Sequence, residues 1–328
     1  MFVSIVGHSL VWLLAIVGVA TTFLALMLAT PLRTPQPLAL IPEGAAKIDH
    51  KEMPELSRFQ ARDGTWLAYR LYPAKGDAGD RLSILAHGSS AMSDAMSAVA
   101  RSLAEGGVTA VAIDARGHGA SGLRGDIGYI GQLDDDLADL VSELRKSYPN
   151  AKLTLVGHSS GGGFALSIAT RLVGALFDHF VLLAPYLGYR APTNLPALGR
   201  WAAPDIPRIL AIKALQGLGL DWFQSLPVIA FANSPEAGKA VTSRYSFRLL
   251  ENYGPPEDWK GSIRATASRV EIISGAKDEL FDAKAYANAL APLGMRVTIL
   301  PDVDHMGIVY QPAALRAIVE ATKPANGI

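Results

Sequence analysis

Residues 157–161 read Gly157-His158-Ser159-Ser160-Gly161, directly after the apolar run Lys152-Leu153-Thr154-Leu155-Val156 and directly before the small-residue stretch Gly162-Gly163-Phe164-Ala165-Leu166. This order spells a strand, a tight turn and a helix start. A serine on such a turn has strained backbone angles and projects its hydroxyl from the top of a sheet, and the glycines two before and two after it let strand and helix approach. Ser159 is therefore the leading candidate for a nucleophile.

The rest of the chain supplies a sheet for that turn. Leu56 to Ala61 and Thr65 to Tyr72 flank Asp63-Gly64 and read as a hairpin. Strands are expected at Arg81 to Ala86, Val108 to Ile113, Lys152 to Val156, His179 to Ala184, Arg269 to Ser274 and Arg296 to Leu300. Helices are expected at Met92 to Glu105, Ile130 to Ser147, Ala283 to Leu293 and Ala313 to Thr322; the second carries Leu133, Leu137, Leu140, Val141 and Leu144 at helical spacing. Strands alternating with helices imply an α/β fold, with a mainly parallel sheet covered on both faces. Residues 186–265 break the rhythm with prolines, aromatics and apolar side chains such as Ile209, Leu210, Leu218, Leu220, Trp222 and Phe223, and read as a cap inserted over the functional edge of the sheet.

The N-terminus carries a second signal. No Asp, Glu, Lys or Arg precedes Arg33, and Leu10 to Ala29 gives about 20 mostly apolar residues, enough to cross a bilayer as a helix. The expected organisation is a transmembrane anchor over 1–31, an extended Pro-rich linker over 32–55 (Pro31, Pro35, Pro37, Pro42, Pro54), and a catalytic domain over 56–328 that contains the cap. Arg33, Lys47 and Lys51 follow the span and no basic residue precedes it, which by the positive-inside bias places the domain in the cytoplasm.

Composition excludes several function classes. With 328 residues, Lys plus Arg and Asp plus Glu at 30 each, and no basic run, nucleic acid is not an expected partner. The chain has no cysteine, so it has no disulfide, thiol nucleophile or thiolate-bound zinc. Its seven histidines show no H-E-x-x-H or similar spacing, and neither a metal nor another cofactor is expected.

A neutral serine hydroxyl needs a base, usually histidine, and the histidine needs a carboxylate to fix its tautomer and stabilise its charged form. Asp278 follows the strand ending Ser274-Gly275, and His305 follows the strand ending Ile299-Leu300, so both fall at the carboxyl ends of late strands. Asp282, Asp302 and Asp304 are rival acids, and His87 and His118 rival bases. His158 adjoins the nucleophile, where side chains on a sharp turn diverge, and reads as a packed histidine. The oxyanion of an acyl-transfer intermediate needs two backbone donors. The expected pair is the N–H of Ser160, at the helix start, and that of Ser89 in the loop His87-Gly88-Ser89-Ser90.

With these pieces together, the chain resembles the serine α/β-hydrolase superfamily, in the branch containing monoacylglycerol lipases and lysophospholipase-like hydrolases. The matching residues are His87-Gly88, Asp114-Ala115-Arg116-Gly117-His118-Gly119-Ala120-Ser121-Gly122, the turn around Ser159, and the Asp278 and His305 loops, over about residues 56–322. The resemblance implies an α/β-hydrolase fold and hydrolysis of a carboxylic or lipid-type ester, with Ser159, Asp278 and His305 as the triad. A peptidase, an acyltransferase and a silent hydrolase-like binding protein are the alternatives on this scaffold. One departure stands out: Ser90 occupies a place where these lipases usually have glycine.

Overall fold

Short apolar runs without alternation suit strands buried on both faces, and these build the core of the protein. The structure, a computed structural model, describes residues 2–76, 80–234 and 241–323, with the backbone alone for residues 2–10. Its strands are β1 (Ser57–Gln60), β2 (Trp66–Tyr72), β3 (Arg81–Ala86), β4 (Thr109–Ile113), β5 (Lys152–His158), β6 (His179–Leu183), β7 (Ala202–Pro204), β8 (Pro227–Phe231), β9 (Arg244–Ser246), β10 (Val270–Gly275) and β11 (Arg296–Leu300). The α-helices are α1 (Phe2–Leu28), α2 (Leu40–Ala45), α3 (Ser97–Glu105), α4 (Gln132–Arg145), α5 (Ser160–Ala169), α6 (Leu198–Trp201), α7 (Ile206–Gly217), α8 (Phe247–Asn252), α9 (Trp259–Thr266), α10 (Ala283–Leu290) and α11 (Pro312–Ala321).

Eight strands form one sheet in the order β1-β2-β4-β3-β5-β6-β10-β11. The pairings from β4 through β3, β5, β6 and β10 to β11 are all parallel, and β2 runs against its neighbours β1 and β4. Every residue of β4 and β10 is buried, because helices cover both faces. In α4 the buried stripe is Leu133, Leu137, Leu140, Val141 and Leu144; Asp134 and Asp135 in its first turn and Arg145 in its last complement the helix dipole.

The inserted segment has its own small antiparallel sheet, β7-β8-β9, with α6 to α9 around it; residues 235–240 of the 186–265 stretch lie outside the described residues. Its entry is tied to the loop after β10, where Leu195 N–H donates to Leu280 O at 2.9 Å and Asp282 N–H to Thr193 O at 2.7 Å.

The segment expected as an extended linker behaves differently. It contains the short helix α2, buries Leu38 and Ile48 in the main core, and pairs Leu38 N–H with Ala232 O at 3.1 Å. Arg101 holds its end by donating to the carbonyls of Asp49 (2.7 Å) and Lys51 (2.6 Å). Prolines signal interrupted hydrogen bonding, but the apolar side chains between them find the domain surface and fold onto it. Gly44 sits so close to Met306 that an added Cβ would stand 2.4 Å from the Met306 Cβ.

Candidate active site

The turn after β5 is as tight as its composition requires. A Cβ on Gly157 would lie 2.0 Å from Gly161 O, and one on Gly161 would lie 2.4 Å from His87 O, so only glycine lets strand, helix and the neighbouring loop meet. Ser159 adopts φ 55° and ψ −116°, a strained combination for a residue with a side chain. The strain is held by four backbone bonds: Ser159 N–H donates to Leu183 O (2.9 Å), while Gly162, Gly163 and Tyr186 donate to Ser159 O (3.0, 3.1 and 2.9 Å).

The structure brings three of the expected residues into one line. His305 Nε2 lies 3.2 Å from Ser159 Oγ, and His305 Nδ1 lies 2.9 Å from Asp278 Oδ2. The other Asp278 oxygen accepts the N–H groups of Leu280 (2.8 Å) and Phe281 (2.9 Å), which fixes the orientation of the carboxylate. With Nδ1–H donating to Asp278, Nε2 is left to accept the serine proton. All three residues are buried.

The rival acids are occupied elsewhere. Asp282 caps α10 by accepting Lys284 N–H at 2.8 Å, Asp302 pairs with Lys277 at 2.7 Å on the surface, and Asp304 accepts Gly307 N–H at 2.5 Å. The histidines divide similarly. His158 donates from Nε2 to His305 O at 3.2 Å, and burial, with the neighbouring His305 next in weight, holds it neutral, far below the usual imidazole range. Glu279 accepts His305 N–H at 3.1 Å, so the backbone of His305 is clamped on both sides. Sequence reasoning missed the Glu279 contact; its only trace is its place beside Asp278.

Around the expected oxyanion donors, Gly88 lies against Ser159: an added Cβ would stand 3.5 Å from the Ser159 Cβ and 3.3 Å from His158 Nδ1. Ser160 is the first residue of α5, where N–H groups have no intrahelical acceptor. Among the described residues, no protein acceptor takes the backbone N–H of Ser89 or Ser160. The Ser89 hydroxyl accepts Trp201 Nε1–H at 2.9 Å, which brings the cap down onto this loop.

Ser90 has φ 71°, the left-handed region that glycine usually fills. Its partners explain how a serine stays there. Ser90 N–H donates to the Tyr245 hydroxyl at 2.7 Å, Ser90 Oγ donates to Thr242 O at 2.8 Å, and Asn233 Nδ2 donates to Ser90 Oγ at 2.7 Å. The Tyr245 hydroxyl in turn lies 2.7 Å from His118 Nε2 and donates to it, since burial keeps His118 neutral and pushes the Tyr245 phenol up into its protonated form. His87 and His118 thus serve the loops: His87 Nε2 accepts Ala115 N–H at 3.3 Å, and Tyr253 donates to His87 O at 2.6 Å.

An eight-stranded, mainly parallel sheet with a strained serine between β5 and α5, and an acid and a histidine after the last two strands, defines a serine α/β-hydrolase. The chain belongs to the family described as serine aminopeptidase, S33, whose model matches residues 79–305. Among solved structures it is similar to a soluble variant of the Saccharomyces cerevisiae monoglyceride lipase (16% identity, 89% of this chain and 100% of that one, TM-score 0.59). It is also similar to the α/β-hydrolase GrgF from Penicillium sp. sh18 (17%, 82% and 97%, TM-score 0.55). A bacterial membrane phospholipase A described as a virulence factor matches at 18% identity over 97% of this chain and 98% of that one, with a TM-score of 0.54. At such identities these likenesses show the fold alone, that of an α/β-hydrolase.

Proposed function

We propose that the protein is a serine carboxylester hydrolase that works through an acyl-enzyme on a lipid-type ester, such as a monoacylglycerol or lysophospholipid. The observation that carries this reading is the line from Ser159 Oγ through His305 to Asp278, at 3.2 and 2.9 Å. Ser159 attacks the ester carbonyl, His305 takes its proton and passes it to the leaving alcohol, and water activated by His305 then releases the acid. Asp278 orients His305 and stabilises its charged form, while the N–H groups of Ser89 and Ser160 receive the oxyanion.

Support for an acyl substrate comes from the apolar cap and from α1, a 27-residue helix whose Val11–Leu28 part is long and apolar enough to cross a membrane. In this reading residues 1–31 anchor the protein, 32–55 connect, and 56–328 form the hydrolase domain with its cap at 186–265; the basic residues after the span put the domain on the cytoplasmic face. The yeast monoglyceride lipase and the membrane phospholipase A, two of the similar structures, bear names of the same chemical class.

A second reading, peptide hydrolysis by the same residues, is favoured by the description of the family as a serine aminopeptidase. A fluorophosphonate probe and two substrate series decide the matter. Labelling is expected at Ser159, and kcat/KM on p-nitrophenyl esters should rise about fourfold per methylene until the pocket is full, from about 0.8 kcal/mol for each one buried. Turnover of aminoacyl p-nitroanilides with a flat ester profile would establish the peptidase instead. An unlabelled Ser159 would refute both.

A further inference from the structure

The membrane-spanning helix does not end in a free tether. Its last turn docks on the cap helix α7, where Leu28 packs with Ile209 and Phe223 against the buried trio Ile212, Val228 and Phe247. The final carbonyls of a helix lack intrahelical partners, and here one cap residue supplies them. The buried guanidinium of Arg208 donates from Nε to Leu28 O at 3.0 Å and from a second nitrogen to Thr30 O. The Thr30 hydroxyl lies 2.8 Å from both oxygens of Asp205, whose carboxylate also caps α7 by accepting Arg208 N–H at 3.1 Å. Helix end and cap are thereby clamped at one fixed angle.

Beside this clamp the cap presents large apolar side chains to solvent. Ile206 is 50% exposed and Leu210, one turn on along the same stripe, 54%; past the helix end at Gly217, Leu218 is 72% and Trp222 76% exposed. Scattered apolar residues are common on protein surfaces, but these four follow one another from the residue next to Asp205. The charges of the segment are engaged: Arg208 in the clamp, Lys213 with Glu251 at 3.3 Å, and Asp221 with Gln224 at 2.6 Å.

We propose that Ile206, Leu210, Leu218 and Trp222 sit in the boundary between headgroups and acyl chains of the same bilayer that α1 crosses, making the cap a second membrane contact held in register with the span by Arg208, Asp205 and Thr30. The occupant is a phospholipid surface, because the clamp places the exposed stripe beside the point where an apolar helix leaves the bilayer. A tryptophan and branched aliphatics next to polar groups suit that boundary. This inference rests on the reading of α1 as a membrane anchor.

The lack of cysteine makes a direct test possible. Single-cysteine variants of the full chain, Leu210→Cys and Trp222→Cys, are labelled with an environment-sensitive fluorophore and reconstituted into phosphatidylcholine vesicles. The vesicles carry spin-labelled lipid with the quencher either near the headgroup or at the acyl terminus. Leu14→Cys reports the span, and Leu172→Cys, 97% exposed just before β6 at the opposite end of the strands from the cap, reports bulk water. Labels at 210 and 222 should be quenched about twofold or more beyond the label at 172, and more by the shallow quencher than the deep one, while 14 responds most to the deep quencher. Adding Arg208→Met should remove the shallow quenching at 210 and 222 and leave 14 unchanged. If 210 and 222 match 172 while 14 is quenched deeply, the cap contact is wrong and the anchor stands. If 14 is unquenched too, the anchor reading fails and takes the cap contact with it.

Discussion

Replacing Tyr245 by phenylalanine keeps the ring and removes one oxygen that holds two buried groups. That oxygen accepts Ser90 N–H and donates to His118 Nε2, both at 2.7 Å. The ring contact with Phe231, at 4.7 Å between centroids, survives the change. Each orphaned partner costs about 1–3 kcal/mol, so Tyr245→Phe should lose about 2–6 kcal/mol of stability. For a domain of this size that is a fall in Tm of about 4–12 °C in detergent. The catalytic effect follows from strain. Ser90 sits at φ 71°, a conformation that costs about 1 kcal/mol or more, and the lost bond is one of its restraints. Once released, the loop relaxes and carries the adjacent Ser89 N–H away from Ser159. On a short ester, kcat should drop about tenfold or more with KM little changed, since the proposed role of Ser89 N–H is to bind the oxyanion rather than the ground state. Ser90→Gly relieves the strain but forfeits both bonds to Oγ, and should stay within about 1 kcal/mol of the parent. A Tyr245→Phe protein that melts within about 1 °C of the parent, or loses activity only through KM, would refute this reasoning.

Ser159→Ala, His305→Ala and Asp278→Ala should each reduce ester turnover about a thousandfold or more, with the double variants little worse than the singles; near-normal turnover in Asp278→Ala would remove that residue from the proposed triad. His87, His118 and His158 are buried, with pKa values lowered chiefly by that burial, whereas in the unfolded chain each takes a proton near pH 6.5. The unfolded state therefore binds more protons as pH falls below about 6.5, and stability should be lost in that direction by up to about 1.4 kcal/mol per pH unit for each histidine, while remaining flat above about pH 7.5. Melting temperatures that do not change between about pH 7.5 and 5 would contradict this. A chain beginning at Met53 lacks the buried Leu38 and Ile48 and the α2 contact to Met306, and should be less stable by about 3–6 kcal/mol than one beginning at Thr30, as compared by urea unfolding.

The sheet is legible in the sequence because buried parallel strands announce themselves as unbroken apolar runs between helical stripes. Arg81–Ala86 and Arg296–Leu300 fall at the expected bounds, and the others within about two residues. The turn at Ser159 is legible for a related reason: its strand, glycines and helix are neighbours along the chain. What the sequence hides is decided at long range. β7 and β9 have only three residues each, too few for a period to declare itself, and they exist because they pair with β8. Ser90 looks like a departure from a glycine position until Thr242 and Tyr245, more than 150 residues away, are seen to restrain it. The fold of residues 38–48 onto the domain is hidden for the same reason, since prolines advertise a linker while Leu38 and Ile48 bury against partners far along the chain.

The order of strands also governs when the site comes into being. β10 lies between β6 and β11, and the whole cap intervenes between β6 and β10 along the chain. His305 stands 146 residues beyond Ser159. During synthesis the sheet up to β6 can assemble first, with the serine turn complete and its neighbouring edge open. The histidine and its carboxylate arrive only when β10 and β11 close that edge. A half-made chain therefore carries its hydroxyl without the proposed base, and the line from Ser159 to Asp278 appears in a single late step, after the inserted segment has already emerged.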